Sequence, residues 1–250
     1  LSAAGANGYT RGRKDVSTGT WEAIAEINGV DQLTGSAHWD ELRGDAGANV
    51  LDGGGGHDLL RGGGGEDRFI YSAGRDRFLG GEGVDTADFS GFGSAVWVQL
   101  GFTGANQAQT RDSADLSSGD WRAIAAIDGT ENVIGTDHDD LLVGDGADNT
   151  LRAGAGDDTL GYRGGEDLLD GGRGTDAVDF SDFGAAVWLH MDYAGRLAVQ
   201  TRDGPDLESG TWRGLAAIEG VENVSGCAYE VDLSCDAGYS RLNGGLGDDR

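Results

Sequence analysis

The chain has 250 residues, among them 48 Gly, six Trp and a single Pro, and 44 acidic against 18 basic side chains give it a formal net charge of −26. Leu, Ile, Val and Phe together supply only 50 residues, which points to disorder unless something besides apolar burial holds the chain. The acidic balance excludes phosphate backbones and anionic lipid as partners, and no apolar run approaches the roughly 18–20 residues that span a bilayer, so neither nucleic-acid binding nor membrane insertion is expected.

The chain opens on Leu1, without an initiator Met or a charged-then-apolar leader, and reads as a mature product or a piece of something longer. Residues 1–34 form the end of a linker or capping segment that closes on "WEAIAEINGVDQLTG" from Trp21. The same element returns as "WRAIAAIDGTENVIG" from Trp121 and "WRGLAAIEGVENVSG" from Trp212, each behind a similar lead-in such as "QTRDSADLSSGD". Trp121 and Trp212 lie 212 − 121 = 91 residues apart, whereas Trp21 and Trp121 are separated by 100. The first module is therefore nine residues longer than the second.

Nine is also the period inside each module. Residues 35–88 divide without a gap into GSAHWDELR, GDAGANVLD, GGGGHDLLR, GGGGEDRFI, YSAGRDRFL and GGEGVDTAD. Residues 135–179 divide into GTDHDDLLV, GDGADNTLR, AGAGDDTLG, YRGGEDLLD and GGRGTDAVD. Six units against five account for the difference. Position 6 is always Asp or Asn, and position 8 is apolar: Leu42, Leu51, Leu60, Phe69 and Phe78, weakening to Ala87, then Leu142, Leu151, Leu160, Leu169 and Val178. A nine-residue period of this glycine content suits no helix, because each interior Gly costs about 1 kcal/mol relative to Ala. A three-residue strand at positions 7–9 followed by a tight turn does suit it. Glycines at positions 1, 2 and 4 are expected to adopt backbone angles closed to other residues, and two nonapeptides make one coil of two stacked parallel sheets.

Between the nonapeptide runs, residues 89–134 and 180–225 read as linker or capping segments. "SAVWVQL" and "AAVWLHM" alternate as half-buried strands. Trp121, Ile124, Ala125 and Ile127 fall at near-helical spacing after "SSGD", which predicts a short helix or turn ending at Gly129, with a continuous extended segment as the competing reading. The Trp side chains are expected to cap the open ends of the rolls, and a weaker alternative gives them a carbohydrate-stacking role. Residues 226–250 begin a third, degenerate run, GCAYEVDLS, CDAGYSRLN and GGLGDDR, in which Val231 and Ser240 occupy position 6 and only Asp249 is acidic there. A run that stops mid-unit suggests a segment of a longer tandem array.

One apolar side chain per nine residues makes a thin core, and stacking brings position 6 of one unit beside position 6 two units on. Unneutralised carboxylates at that distance repel, so a cation is expected between them. Oxygen ligands without Cys or His clusters select calcium or magnesium, and flexible carbonyl-rich loops favour calcium. The units resemble the glycine- and aspartate-rich nonapeptides of the repeats-in-toxin (RTX), or haemolysin-type, calcium-binding family. The resemblance implies an all-β fold of tandem right-handed parallel β-rolls, a β-solenoid joined here by Trp-containing segments, with Ca²⁺ held between turns n and n+2 by position-6 carboxylates and turn carbonyls.

Carried over unit by unit, it pairs Asp40 with Asp58, Asp58 with Asp76, Asn49 with Asp67 and Asp67 with Asp85, then Asp140 with Asp158, Asp158 with Asp176 and Asn149 with Asp167. Asp249 stands as a further ligand without an identified partner. Those 4 + 3 = 7 sites would add +14 and bring the formal charge from −26 to −12. Sites using Asp40, Asp76, Asp140 and Asp167 depart from the pattern, because their units lack turn glycines or open on Tyr, and Asn49 and Asn149 give up a charge.

No other chemistry emerges. His38 and His138 share position 4 of equivalent units and read as solvated turn residues, with a common turn or ligand-side role as the alternative, and His57 and His190 lack Cys, Ser or second-His partners at any ligand or triad spacing. No catalytic constellation is present, and this segment is not expected to be an enzyme. Cys227 and Cys235 would form either a disulfide in an oxidising compartment or two reduced thiols. The expected function is a secreted calcium-binding repeat protein whose rolls fold on extracellular Ca²⁺ and serve as a structural or adhesive array on a bacterial surface or in its matrix. Its partners would be calcium, further copies of the module, other surface proteins or polysaccharide. The alternative is the repeat region of a secreted protease, lipase, polysaccharide epimerase or toxin whose catalytic domain lies elsewhere. The resemblance further implies type I secretion.

Overall fold

The nonapeptide strands appear where the nine-residue phase puts them. A computed structural model describes residues 7–10, 22–26, 30–103, 106–191, 197–202, 206–208, 210–234, 241–247 and 249. Every regular element among these residues is a strand, and none is a helix able to cross a membrane. The chain divides into two compact units, one of residues 1–92, 102–110 and 120–134, the other of residues 93–101, 111–119 and 135–250.

In the first unit, Glu41–Arg43, Leu59–Gly64 and Asp76–Glu82 run parallel in one sheet, while Gln32–Thr34, Val50–Asp52, Arg68–Ile70 and Thr86–Asp88 run parallel in the other. The register steps by 18 residues, Leu42 on Leu60 on Phe78 and Leu33 on Leu51 on Phe69 on Ala87, so two nonapeptides complete each coil. Strand side chains alternate between faces, and the position-8 side chain of every triplet points inward. Leu51, Leu60, Phe69, Phe78 and Ala87 have no exposed surface, and the Phe69 and Phe78 rings stack with centroids 5.4 Å apart. A separate antiparallel pair joins Asn7–Thr10 to Glu22–Glu26.

The second unit repeats the arrangement. Val96–Gln99, Leu141–Val143, Thr159–Gly161, Ala177–Asp179, Asn223–Ser225 and Arg241–Asn243 stack in one parallel sheet. The other holds Thr150–Ala155, Asp167–Arg173 and Arg213–Glu219 in parallel, then Leu197–Thr201 antiparallel and Val187–Met191 beside Val231–Ser234. Leu142, Leu151, Leu160, Leu169 and Val178 are fully buried.

Two expectations are corrected. The Trp121 element forms no helix: Arg122–Asp128 is a strand that pairs in parallel with the penultimate nonapeptide, Ala125 on Asp76 and Ile127 on Phe78, and Asn132–Ile134 then pairs with the last one, Thr86–Asp88. Its β-branched Ile residues fit a sheet whose edge is already waiting, and that pairing outweighs the local helical spacing. Nor do the indoles close the core, since Trp121 and Trp212 remain 42% and 39% exposed while Ile124, Leu215 and Ile218 are buried.

The glycine account also changes. Gly63 and Gly65, at positions 2 and 4, have φ of +116° and +96°, as expected for tight turns. Gly62, at position 1, does not adopt a left-handed backbone; a Cβ there would collide with Asp67 Oδ2 and lie 2.8 Å from the Gly80 carbonyl oxygen. At Gly62 glycine supplies room.

The half-coil difference between modules is visible within each unit. After six nonapeptides, Arg122–Asp128 joins the sheet that holds the first nonapeptide's strand, Glu41–Arg43. After five, Arg213–Glu219 joins the sheet opposite Leu141–Val143.

Candidate metal centre

Position 6 immediately precedes each three-residue strand, at the mouth of the turn, so its side chain lies at the edge of the roll beside the turn one coil away. Where the run continues for a further coil, the backbone N–H of a position-6 residue donates to Oδ1 of the position-6 carboxylate 18 residues on. Along one edge of the first unit these bonds run from Asp40 to Asp58 (2.8 Å) and from Asp58 to Asp76 (2.9 Å). Along the other they run from Asn49 to Asp67 and from Asp67 to Asp85 (both 2.8 Å). In the second unit they link Asp140 to Asp158 (2.6 Å), Asp158 to Asp176 (2.9 Å) and Asn149 to Asp167 (2.9 Å). All seven expected pairs are thus neighbours.

One oxygen of each carboxylate is used in this way, and the other is not. Oδ2 of Asp58, Asp67, Asp76, Asp85, Asp158, Asp167 and Asp176 is buried and accepts no hydrogen bond, on residues at most 4% exposed. A buried ionised oxygen without a partner is costly, and the cost falls on seven side chains at once. Burial accordingly raises these carboxyls, with the backbone N–H bonds offsetting part of the effect: Asp58, Asp85 and Asp176 to about 6, and Asp76, Asp158 and Asp167 to about 7. Asp67 moves in the same direction for the same reason.

Four of the seven orphaned oxygens, those of Asp58, Asp67, Asp85 and Asp176, face space cleared by a position-1 glycine, whereas the units of Asp76, Asp158 and Asp167 open on Tyr71, Ala153 and Tyr162. A Cβ on Gly62 would meet Asp67 Oδ2 together with the Gly80 carbonyl, and one on Gly80 would meet Asp85 Oδ2 together with the Gly129 carbonyl. Among the described residues no three Asp, Glu, His or Cys side chains converge on one point. The donor set is instead carboxylate plus backbone carbonyl, all oxygen, which suits a hard cation of adaptable coordination and fits calcium.

The departures from the repeat separate into two kinds. Asp40 and Asp140, in units with Ser or Thr at position 2, satisfy Oδ2 internally: Ser36 N–H and Thr136 N–H each donate to it at 2.6 Å. Burial also lifts Asp140 to about 7. Asn49 and Asn149 likewise spend Oδ1 on the N–H of Asp45 and Asp145, both at 2.8 Å. Asp76 and Asp167, in the units that open on Tyr71 and Tyr162, keep a free Oδ2. Asp249 accepts from Val231 N–H at 3.2 Å, with an apolar residue where a second carboxylate would stand. The imidazole of His38 lies on an exposed turn against its neighbour's Ala37 carbonyl. Cys227 is a buried free thiol 3.2 Å from the Ala185 carbonyl oxygen, and Cys235 lies outside the described residues.

Two residues were missed from sequence. Glu131 and Glu222, left in the linker segments 89–134 and 180–225, accept the N–H of Asp85 and Asp176 at 2.8 and 2.9 Å, as a position-6 carboxylate would. The signal was present: each Glu stands two residues before an inward Val, as position 6 stands before position 8. So was the phase: Glu131 stands nine residues before Asp140 and Glu222 nine before Val231, each with a glycine, Gly129 or Gly220, at position 4.

The family model of the RTX calcium-binding nonapeptide repeat matches the chain in four copies, over residues 29–69, 72–89 and 128–162. No curated protein matches the chain. Stacked coils, inward position-8 side chains and position-6 carboxylates at the turns keep the phase of that repeat, and the matched residues are RTX calcium-binding nonapeptide repeats.

Proposed function

We propose that this chain is a secreted module that folds on meeting extracellular calcium and serves as a structural or adhesive element of a tandem array, without catalysis of its own. The observation that carries the reading is the set of seven buried carboxylate oxygens that accept no hydrogen bond. Without a cation they oppose the fold they occupy. With one between each pair they hold it together. Extracellular calcium modules bind at about 10⁻⁴–10⁻³ M, so cytosolic calcium leaves such sites unfilled and the chain unfolded until export. At free calcium about 100 times Kd, each independent site adds about 2.7 kcal/mol, and several together offset the shortage of apolar side chains.

The test is circular dichroism of the chain during a calcium titration. We expect β-structure to develop between about 0.1 and 10 mM calcium and to vanish with excess chelator. A spectrum of folded β-structure that chelator leaves unchanged overturns the reading.

A further inference from the structure

We infer that Glu131 and Glu222 are metal-site residues, each completing an additional calcium site in which a Glu from the Trp-containing segment replaces the position-6 Asp of a nonapeptide. The two sites are Asp85 with Glu131 in the first unit and Asp176 with Glu222 in the second. The inference rests on the calcium reading of the nonapeptides and extends it to residues that precede the two later runs.

Three observations converge at each site. The glutamate takes the acceptor role that position-6 carboxylates take elsewhere, Asp85 N–H to Glu131 Oε2 at 2.8 Å and Asp176 N–H to Glu222 Oε2 at 2.9 Å. The facing carboxylate is fully buried and has an oxygen without a partner: Asp85 and Asp176 are both 0% exposed, and Oδ2 of each accepts nothing. A carbonyl then stands where the nonapeptide sites have one. A Cβ on Gly80 would collide with both Asp85 Oδ2 and the Gly129 carbonyl, and one on Gly171 with the Gly220 carbonyl while lying 2.7 Å from Asp176 Oδ2. Gly129 and Gly220 reach that place because both turn in the left-handed region, at φ +63° and +59°.

The opposite edge of each roll acts as an internal control. There the coil that follows Asp76 presents Ala125 in register, and the coil that follows Asp167 presents Ala216. No carboxylate stands at either place, so the columns there end with Asp76 and Asp167. The same strand–turn–strand element thus stops one ion column and lengthens the other.

The experiment counts ions on the full chain by native mass spectrometry across a titration with calcium alone. Glu131→Gln and Glu222→Gln keep an acceptor for the Asp N–H and remove the charge. Each is expected to hold one calcium ion fewer than wild type, and the double variant two fewer, with circular dichroism still showing the calcium-bound fold. Should either Gln variant fail to fold, Glu131→Asp and Glu222→Asp, which restore the nonapeptide's own residue, must recover the full count; failure to do so overturns the assignment. Unchanged stoichiometry and affinity in both Gln variants also overturns it, while leaving the calcium reading intact. A wild-type chain that holds no calcium overturns the two together.

Discussion

Gly62 shows how tightly a single residue is tied to the metal cradle. It has no left-handed backbone to maintain, yet a methyl group there would occupy the space between Asp67 Oδ2 and the Gly80 carbonyl oxygen. Gly62→Ala should therefore cost about 2–3 kcal/mol of the calcium-bound state and weaken binding at that turn at least about tenfold, as overpacking and loss of a ligand position act together. Gly91, whose added Cβ would meet nothing within 4 Å, is the matched control. Gly91→Ala should shift the unfolding free energy by less than about 0.5 kcal/mol. Chemical denaturation of both variants in saturating calcium reads the difference, and equal costs would show that Gly62 does not keep the cradle clear.

At the scale of the element, the Tyr that replaces the first glycine in the penultimate unit of each module changes from a flaw in the repeat to a terminator. Tyr71 is 1% exposed, donates its hydroxyl to the Gly74 carbonyl at 3.1 Å, and packs its ring 5.5 and 5.1 Å from Phe89 and Phe92. Tyr162 repeats this against Phe180 and Phe183 at 5.3 and 5.1 Å. An aromatic plug at this place supplies apolar burial on the edge where Ala125 gives Asp76 no carboxylate partner. Tyr71→Phe should cost about 1 kcal/mol for the lost hydrogen bond, and Tyr71→Gly about 3–5 kcal/mol for the cavity. Restoring the repeat's own glycine should add no calcium ion, and an extra ion bound by Tyr71→Gly would refute the terminator role. The strands were legible in the sequence because their order is local: a nine-residue period, an inward Leu or Phe, a turn. The Trp element was not, because its strand is decided by partners far along the chain. Asp85 and Glu131 are 46 residues apart across the interruption "FSGFGSAVWVQL", and only the fold shows that they are neighbours. Near-helical spacing at Ile124 and Ile127 described the residues correctly and misidentified the neighbour they pack against.

Across the whole molecule, the carboxylates give pH and calcium opposite effects. Without metal, burial raises the folded-state values to about 6–7 from an ordinary 3.8, as at Asp58, Asp76 and Asp158, so the folded chain holds protons that the unfolded chain releases. Stability of the calcium-free fold therefore rises as pH falls from about 7 towards 4, and above about 7 the full cost of burying the ionised groups is felt. With calcium the same oxygens are ligands, protons compete for them, and the bound fold loses stability over the same interval. The melting temperature at a fixed millimolar calcium concentration should fall between pH 8 and pH 5; one that stays constant or rises on acidification would refute the assignment. The number of nonapeptides carries a consequence of a different kind. Six units return the chain to the sheet on which it began and five do not, so Arg122–Asp128 and Arg213–Glu219 add to opposite sheets relative to their first nonapeptides. Gain or loss of one nonapeptide, the smallest length change the repeat permits, transfers the partly exposed indole beside that strand from one flank of its roll to the other without altering any side chain; a second such change restores it. The flank is thus inherited as the parity of a count, a switch that unequal recombination between near-identical repeats can throw in one step.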